Sequence, residues 1–178
     1  MYKKTLAILG LIGVGVVGRL VPHAPNATPI TAITFAARKQ LGRVWALIIP
    51  LLAMLLSDFV IGFYDWKILL SVYGSFLCVV VLSQLLKADS HPLAVGAMVV
   101  ASSLLFFLIT NFAVWAFSPW YAKSITGLVY CYTLGLPFLR NMMLGDIAYT
   151  AVLFGALSVQ PRRLGRRVMY HLYGRYAG

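Results

Sequence analysis

The 178-residue chain is 61% hydrophobic and 11% charged, where an ordinary soluble domain is about a quarter charged. No single soluble core buries that much apolar surface, so composition excludes a water-soluble globule and points to one polytopic membrane domain over 1–178, partnered by the lipid bilayer. The net charge of +11 comes without any glutamate, and its basic residues gather at the ends and in one loop, which suits membrane orientation rather than nucleic acid.

Six apolar segments follow one another near residues 5–21, 29–37, 44–63, 68–86, 93–117 and 142–159, with a basic tail at 160–178. The first opens after Lys3 and Lys4 like a signal peptide. It then runs into Pro22 and Pro25 without a small-x-small cleavage site, and reads as a retained helix. Within it, Gly13-Val-Gly15-Val-Val-Gly18 spells a dinucleotide-binding fingerprint. That fingerprint needs a strand before it, a helix after it and an acidic ribose partner roughly 20 residues on. Here no acid precedes Asp58, and prolines follow. The glycines are expected to serve close helix packing instead, although none of Gly10, Gly13, Gly15 and Gly18 stands four residues from another.

The second segment is short and could be tilted, extended through Gln40 or partly re-entrant; its backbone must be satisfied inside protein. The uncharged runs 44–57, 68–86 and 92–122 anchor the next three segments, each reading as a bilayer-crossing helix of about 20 residues. Residues 118–141 are polar and Pro-interrupted, and read as an outer loop holding an amphipathic helix over 125–136. The last segment then begins at 142. Cys78 and Cys131 have no metal-binding spacing. Cys78 shares a helix face with Ser71, Gly74 and Ser75, which favours packing over ligation.

With a cytoplasmic N-terminus, the inside carries Lys3, Lys4, Arg38, Lys39, Arg43, Lys87 and the arginine-rich tail, while the outside carries Arg19, Lys67, Lys123 and Arg140. The basic count is eleven against four, which places both termini in the cytoplasm. Trp66, Trp120 and Tyr121 then lie at the outer interface.

Polar residues inside apolar segments are costly and mark function. Here they gather toward the outer side: His23 and Asn26 beyond the first helix, Asp58 near the end of the third with Asp65 seven residues on, and Tyr73 near the start of the fourth. Asn111 and Trp115 lie on one face of the fifth, and Arg140 and Asp146 enter the sixth. Ser102 and Ser103 are expected to bond their own helix's carbonyls. The set His23, Asn26, Asp58, Tyr73, Asn111, Trp115, Arg140 and Asp146 describes an outward-facing solute pocket. The alternative is a structural role, with ion pairs such as Asp58 with Arg140 or Asp146 with Arg19 only locking the helices of an assembly protein. An intramembrane enzyme using Asp58 and Asp146 is a third reading, yet Met143-Leu144-Gly145-Asp146 lacks the first glycine of GxGD. No HExxH, serine–histidine or phosphate-loop pattern occurs either. The expectation is no enzyme, no cofactor and no metal, since His23 is the sole outer histidine.

The stretches "RLVPHAPNATPITAITFAA", "LIIPLLAMLLSDFVIGF" and "ITNFAVWAFSPWYAKSITGLVYCYTLGLPFLRNMMLGDIAYTAVLFGA" resemble an uncharacterised bacterial family of this size. That family in turn looks like the S components of energy-coupling factor transporters, the substrate-binding subunits of those systems. The resemblance implies an all-α integral membrane protein, a bundle of six transmembrane helices in the bacterial inner membrane. It implies uptake of a small solute of the vitamin or precursor class from outside. Solitary S-component-like proteins exist, and cobalamin is among their attributed substrates, which would bring in cobalt ligation by Cys78 or His23. The small-residue face that docks many S components is not formed by Ala7 and Leu11 or by Gly10 and Val14. The expected partner is therefore an energising transporter module or none.

Overall fold

The computed structural model describes residues 2–87 and 90–159; Asp89 and the basic tail lie outside them. The described residues form six helices: α1 Tyr2–Leu20, α2 Ile30–Leu41, α3 Arg43–Ile61, α4 Trp66–Gln84, α5 Pro92–Phe117 and α6 Ile125–Val159. Three of them, α3, α4 and α5, are long and apolar enough to cross a membrane, with mean hydropathies of 2.4, 1.8 and 2.4. Their outer surfaces are apolar too, with Phe59, Val60, Leu70, Val81 and Leu108 exposed. Water would penalise such a girdle, whereas lipid tails accept it.

Contacts at both ends fix the helix directions. Lys4 stacks over the Trp45 ring, and Arg19 pairs with Asp58, so α1 and α3 run parallel. Between them α2 runs back, with Pro29 and Ile33 against Gly18 and Gly15. At 12 residues, α2 is about 18 Å long, short of the ~30 Å hydrocarbon core. The loop before it is exposed over residues 21–26, and only its last residues turn into the bundle, where Ala27 lies against Gly145 of α6. Every residue from Ile30 to Ala37 is buried, and all five other helices touch α2. This shielding lets a short helix with a looped entry sit inside an apolar bundle. Gly42 alone joins α2 to α3 at φ +95°, a left-handed conformation open to glycine at little cost, and its N–H caps Ala37.

The glycines of α1 divide into two groups. A Cβ at Gly15 would come within 2.7 Å of Ala53 and Ile33, and one at Gly18 within 2.5 Å of Pro29, whereas Gly10 and Gly13 face open space. The expected packing role holds for Gly15 and Gly18. The nucleotide fingerprint falls within one continuous helix and has no phosphate loop. We expect Gly15→Val to destabilise the purified protein by about 1–3 kcal/mol or to prevent folding, through overpacking. Gly13→Ala should leave its melting temperature within a few degrees of the original.

Two elements depart from the sequence expectation. The segment expected as an outer loop helix over 125–136, separate from a last span beginning at 142, is one continuous α6 of 35 residues passing through Pro137. Pro137 removes one N–H donor, yet the helix persists because its packing against α5 outweighs that loss. Its start, Gly127, sits so tightly on the Ala122 carbonyl that a Cβ there would overlap it. Asp65 does not continue the face of α3 either. The helix ends at Ile61 with Gly62 at φ +99°, and Asp65 caps α4 by accepting from the N–H groups of Lys67 and Ile68.

Candidate functional site

The last turns of α1 and α3 meet at an ion pair. Arg19 Nη2 lies 2.7 Å from Asp58 Oδ1, while its Nη1 donates to Met54 O at 3.0 Å and Ser57 Oγ at 2.6 Å. From α4, the Tyr73 hydroxyl donates to Asp58 Oδ2 at 2.7 Å. Ser57 itself bonds back to the Ala53 and Met54 carbonyls. The Asp58 carboxylate, 1% exposed, thus has a cation and a phenol as partners, and both ends of the guanidinium are held. A charge at this depth is tolerable only when paired and hydrogen-bonded.

Beside this cluster lie two adjoining cavities, the larger of them between α4, α5 and α6. The larger measures about 630 Å³ and the smaller about 150 Å³. Asn26, Tyr64, Val72 and Phe106 border both. Arg19, Thr28, Met54 and Met142 complete the smaller, while Thr110, Asn111, Trp120, Tyr121 and Cys131 give the larger its polar and aromatic character. Asn26 holds its place at φ +65°, a left-handed backbone that asparagine adopts more readily than most side chains. Asn111 donates to its own helix at Phe107 O, and its Oδ1 lies so near Gly135 that a Cβ there would stand 2.5 Å away. In the loops at the rim, burial pushes the Tyr64 hydroxyl's pKa up, with Asp58 adding to the rise and Arg19 opposing it. Burial likewise raises Tyr121, and Cys131 reinforces it.

Of the residues singled out from sequence, Asn26 and Asn111 border the cavities. Asp58 and Tyr73 stand behind Arg19, one step removed. His23 is exposed in the loop, with Nδ1 against its neighbour Ala24 O. Trp115 does not line the cavities; its Nε1 donates to Ala122 O, tying α5 to the start of α6. Lys123 assists by donating to the Trp115 and Ser118 carbonyls at the end of α5, where a helix favours a cation.

The ion pairs expected from sequence are corrected. Asp58 takes Arg19, not Arg140, and Asp146 takes Ser103 at 2.7 Å, not Arg19. The reason lies in the helix: Met142 is buried, and two residues turn an α-helix by about 200°, which aims Arg140 away from the bundle. Ser102 and Ser103 bond Met98 O and Val99 O as expected. Cys78 is half-buried and borders neither cavity. Among the described residues, no three of His, Cys, Asp and Glu come together as a metal site would require.

Sequence reasoning missed Arg19, Tyr64 and Cys131. Arg19 carried a signal, being a lone cation at the end of an apolar helix. Tyr64 and Cys131 had no distinguishing pattern. At the opposite end of the bundle, Arg38, Lys39 and Lys87 surround a shallow depression with Phe35 and Phe154.

No curated protein and no solved structure matches the chain. One family model matches residues 1–167, that of a family of unknown function (DUF6580). That match spans nearly the whole chain, bundle and cavities included, and the protein is accordingly a member of DUF6580.

Proposed function

We propose that the protein is an S-component-like transport protein of the bacterial inner membrane that captures a small polar organic solute from outside. In this reading six helices are embedded in the bilayer and both termini are cytoplasmic. The observation that carries it is the larger cavity, about 630 Å³, within the roughly 300–1,000 Å³ typical of small-molecule sites. It lies at the Arg19 end, which the basic asymmetry turns outward. Its walls combine rings, two amides and hydroxyls, which suit a flat molecule with polar substituents. Among the described residues, the larger cavity's walls carry no charged side chain, and Arg19 on the adjoining smaller cavity is neutralised by Asp58, so the site favours a solute of low net charge.

The competing reading, a structural or assembly protein, draws support from the mutual satisfaction of Asp58, Tyr73 and Arg19, but gives no reason for an open cavity beside them. For joint catalysis, Asp58 and Asp146 would have to act together, yet each has its own partners.

The test is thermal stabilisation of purified protein by water-soluble vitamins and their precursors. We expect a stabilising compound whose affinity falls roughly tenfold in both Asn26→Gly and Asn111→Ala, the loss of one well-made hydrogen bond. Glycine is chosen at position 26 because it keeps the left-handed backbone. A ligand whose affinity both changes leave intact would overturn this site.

A further inference from the structure

Beneath the cavities lies a carboxyl that solute capture does not use. Asp146 is 1% exposed and sits where α2, α5 and α6 pack together. Among the described residues no Lys, Arg or His forms an ion pair with it. Its surroundings are hydroxyls. Ser103 Oγ stands 2.7 Å from Oδ2 and also 3.1 Å from the carbonyl oxygen of Val99. Thr31 Oγ1 faces the same carboxyl without an aligned partner of its own. From α5 no titratable group is available, for that helix contains none. From α2 the nearest charge in sequence is Arg38, about two turns beyond Thr31. On α6 itself Tyr149 is the neighbouring titratable side chain, and Ala27 covers Gly145 from the loop.

The neutral acid is the state this cluster suits best. A serine hydroxyl has one hydrogen to donate, so Ser103 cannot make two full-strength bonds to Val99 O and Asp146 at once. If Asp146 is a neutral acid, its O–H donates to Ser103 Oγ, Ser103 donates to Val99 O, and Thr31 can donate to the remaining carboxyl oxygen. Every group is then served. An ionised Asp146 could accept from Ser103 and Thr31 but would still be a buried charge without a counterion, and that is expensive at this depth.

We propose that Asp146, with Ser103 and Thr31, is a proton-binding site of this protein, loaded from the outer cavity. The proton comes from cavity water and forms the O–H bond on the carboxylate. The path is short, because each member lies within a turn of the smaller cavity's wall: Met142 precedes Asp146, Phe106 follows Ser103, and Ile30 adjoins Thr31. A proton as second ligand gives a solitary carrier an energy source, the proton gradient, without a shared energising module. The inference rests on the cavity being open to the outside, as solute capture requires, but its test needs no solute, so the two fail separately.

Infrared spectroscopy of the purified full-length protein in lipid, in H2O and D2O at neutral pH, provides that test. A protonated carboxylic C=O band is expected, lost in Asp146→Asn and retained in Asp65→Asn. It should change frequency in Ser103→Ala, and its deuterium exchange should quicken severalfold in Met142→Ala, where the wall is thinned. Absence of the band, or its survival in Asp146→Asn, would overturn the proton site. Should Asp146→Asn not fold, an unshifted band in Ser103→Ala would do the same. An exchange rate untouched by Met142→Ala would overturn loading from the cavity.

Discussion

Asp58→Asn is expected to destabilise the protein by about 3–5 kcal/mol, the usual cost of stranding one member of a buried ion pair. The guanidinium of Arg19 would keep its bonds to Met54 O and Ser57 Oγ but lose its counterion. Tyr73 would also lose a charged acceptor, and hydrogen bonds to charged groups are the stronger kind. Arg19→Gln should cost a similar amount by leaving the Asp58 carboxylate buried and unpaired. The double variant should recover part of the loss, with a coupling energy of roughly 0.5–3 kcal/mol. Arg140→Gln should shift stability by about 0.5 kcal/mol or less, as exposed substitutions do. Denaturant unfolding in detergent checks these four variants and the Asp58→Asn/Arg140→Gln double. Additive losses at positions 19 and 58, or strong coupling between 58 and 140, would contradict the pairing described above.

Val114→Trp is expected to block solute binding while sparing the fold. Val114 is half-buried on the wall of the larger cavity, and its apolar side chain makes no hydrogen bond; its carbonyl accepts from Ser118 N–H, which a side-chain change leaves in place. An indole there would project into free volume rather than into packed neighbours, so overpacking is avoided. Forcing a ligand against it should cost about 1–3 kcal/mol, or a ten- to hundredfold loss of affinity. The measurement is the thermal shift produced by whichever vitamin or precursor stabilises the original protein. Undiminished binding in a well-folded Val114→Trp would show that the solute lies elsewhere.

The helices themselves were legible in the sequence because the constraint behind them is simple. Long uncharged runs cannot stay in water, and α3, α4 and α5 begin and end within a few residues of where charge and proline interrupt those runs. The continuity of α6 was not legible. Pro137 and the polar residues before it resemble a loop by composition, and only their packing against α5 keeps them helical. The shortness of α2 could be read from the sequence, but not the contact of the loop residue Ala27 with Gly145. A backbone descending into protein reads the same as one turning in water until its neighbours are known.

The candidate site shows where sequence reasoning stops. That a few polar groups lie inside the bundle could be read directly, because each is costly in an apolar segment and therefore conspicuous. Asn26 and Asn111 were found in this way. Which residue each polar group faces depends on the rotation of its helix about its own axis, and packing sets that rotation. Gly15 and Gly18 draw α1 close to α2 and α3, bringing Arg19 to Asp58. Buried Met142 turns Arg140 outward and leaves Asp146 facing Ser103. Hydropathy therefore determined, from the sequence alone, that the chain is an apolar helical bundle with a few costly polar groups inside it. Only the tertiary structure decided their partners, because an ion pair or hydrogen bond depends on ångström-scale placement that close packing fixes and composition does not encode.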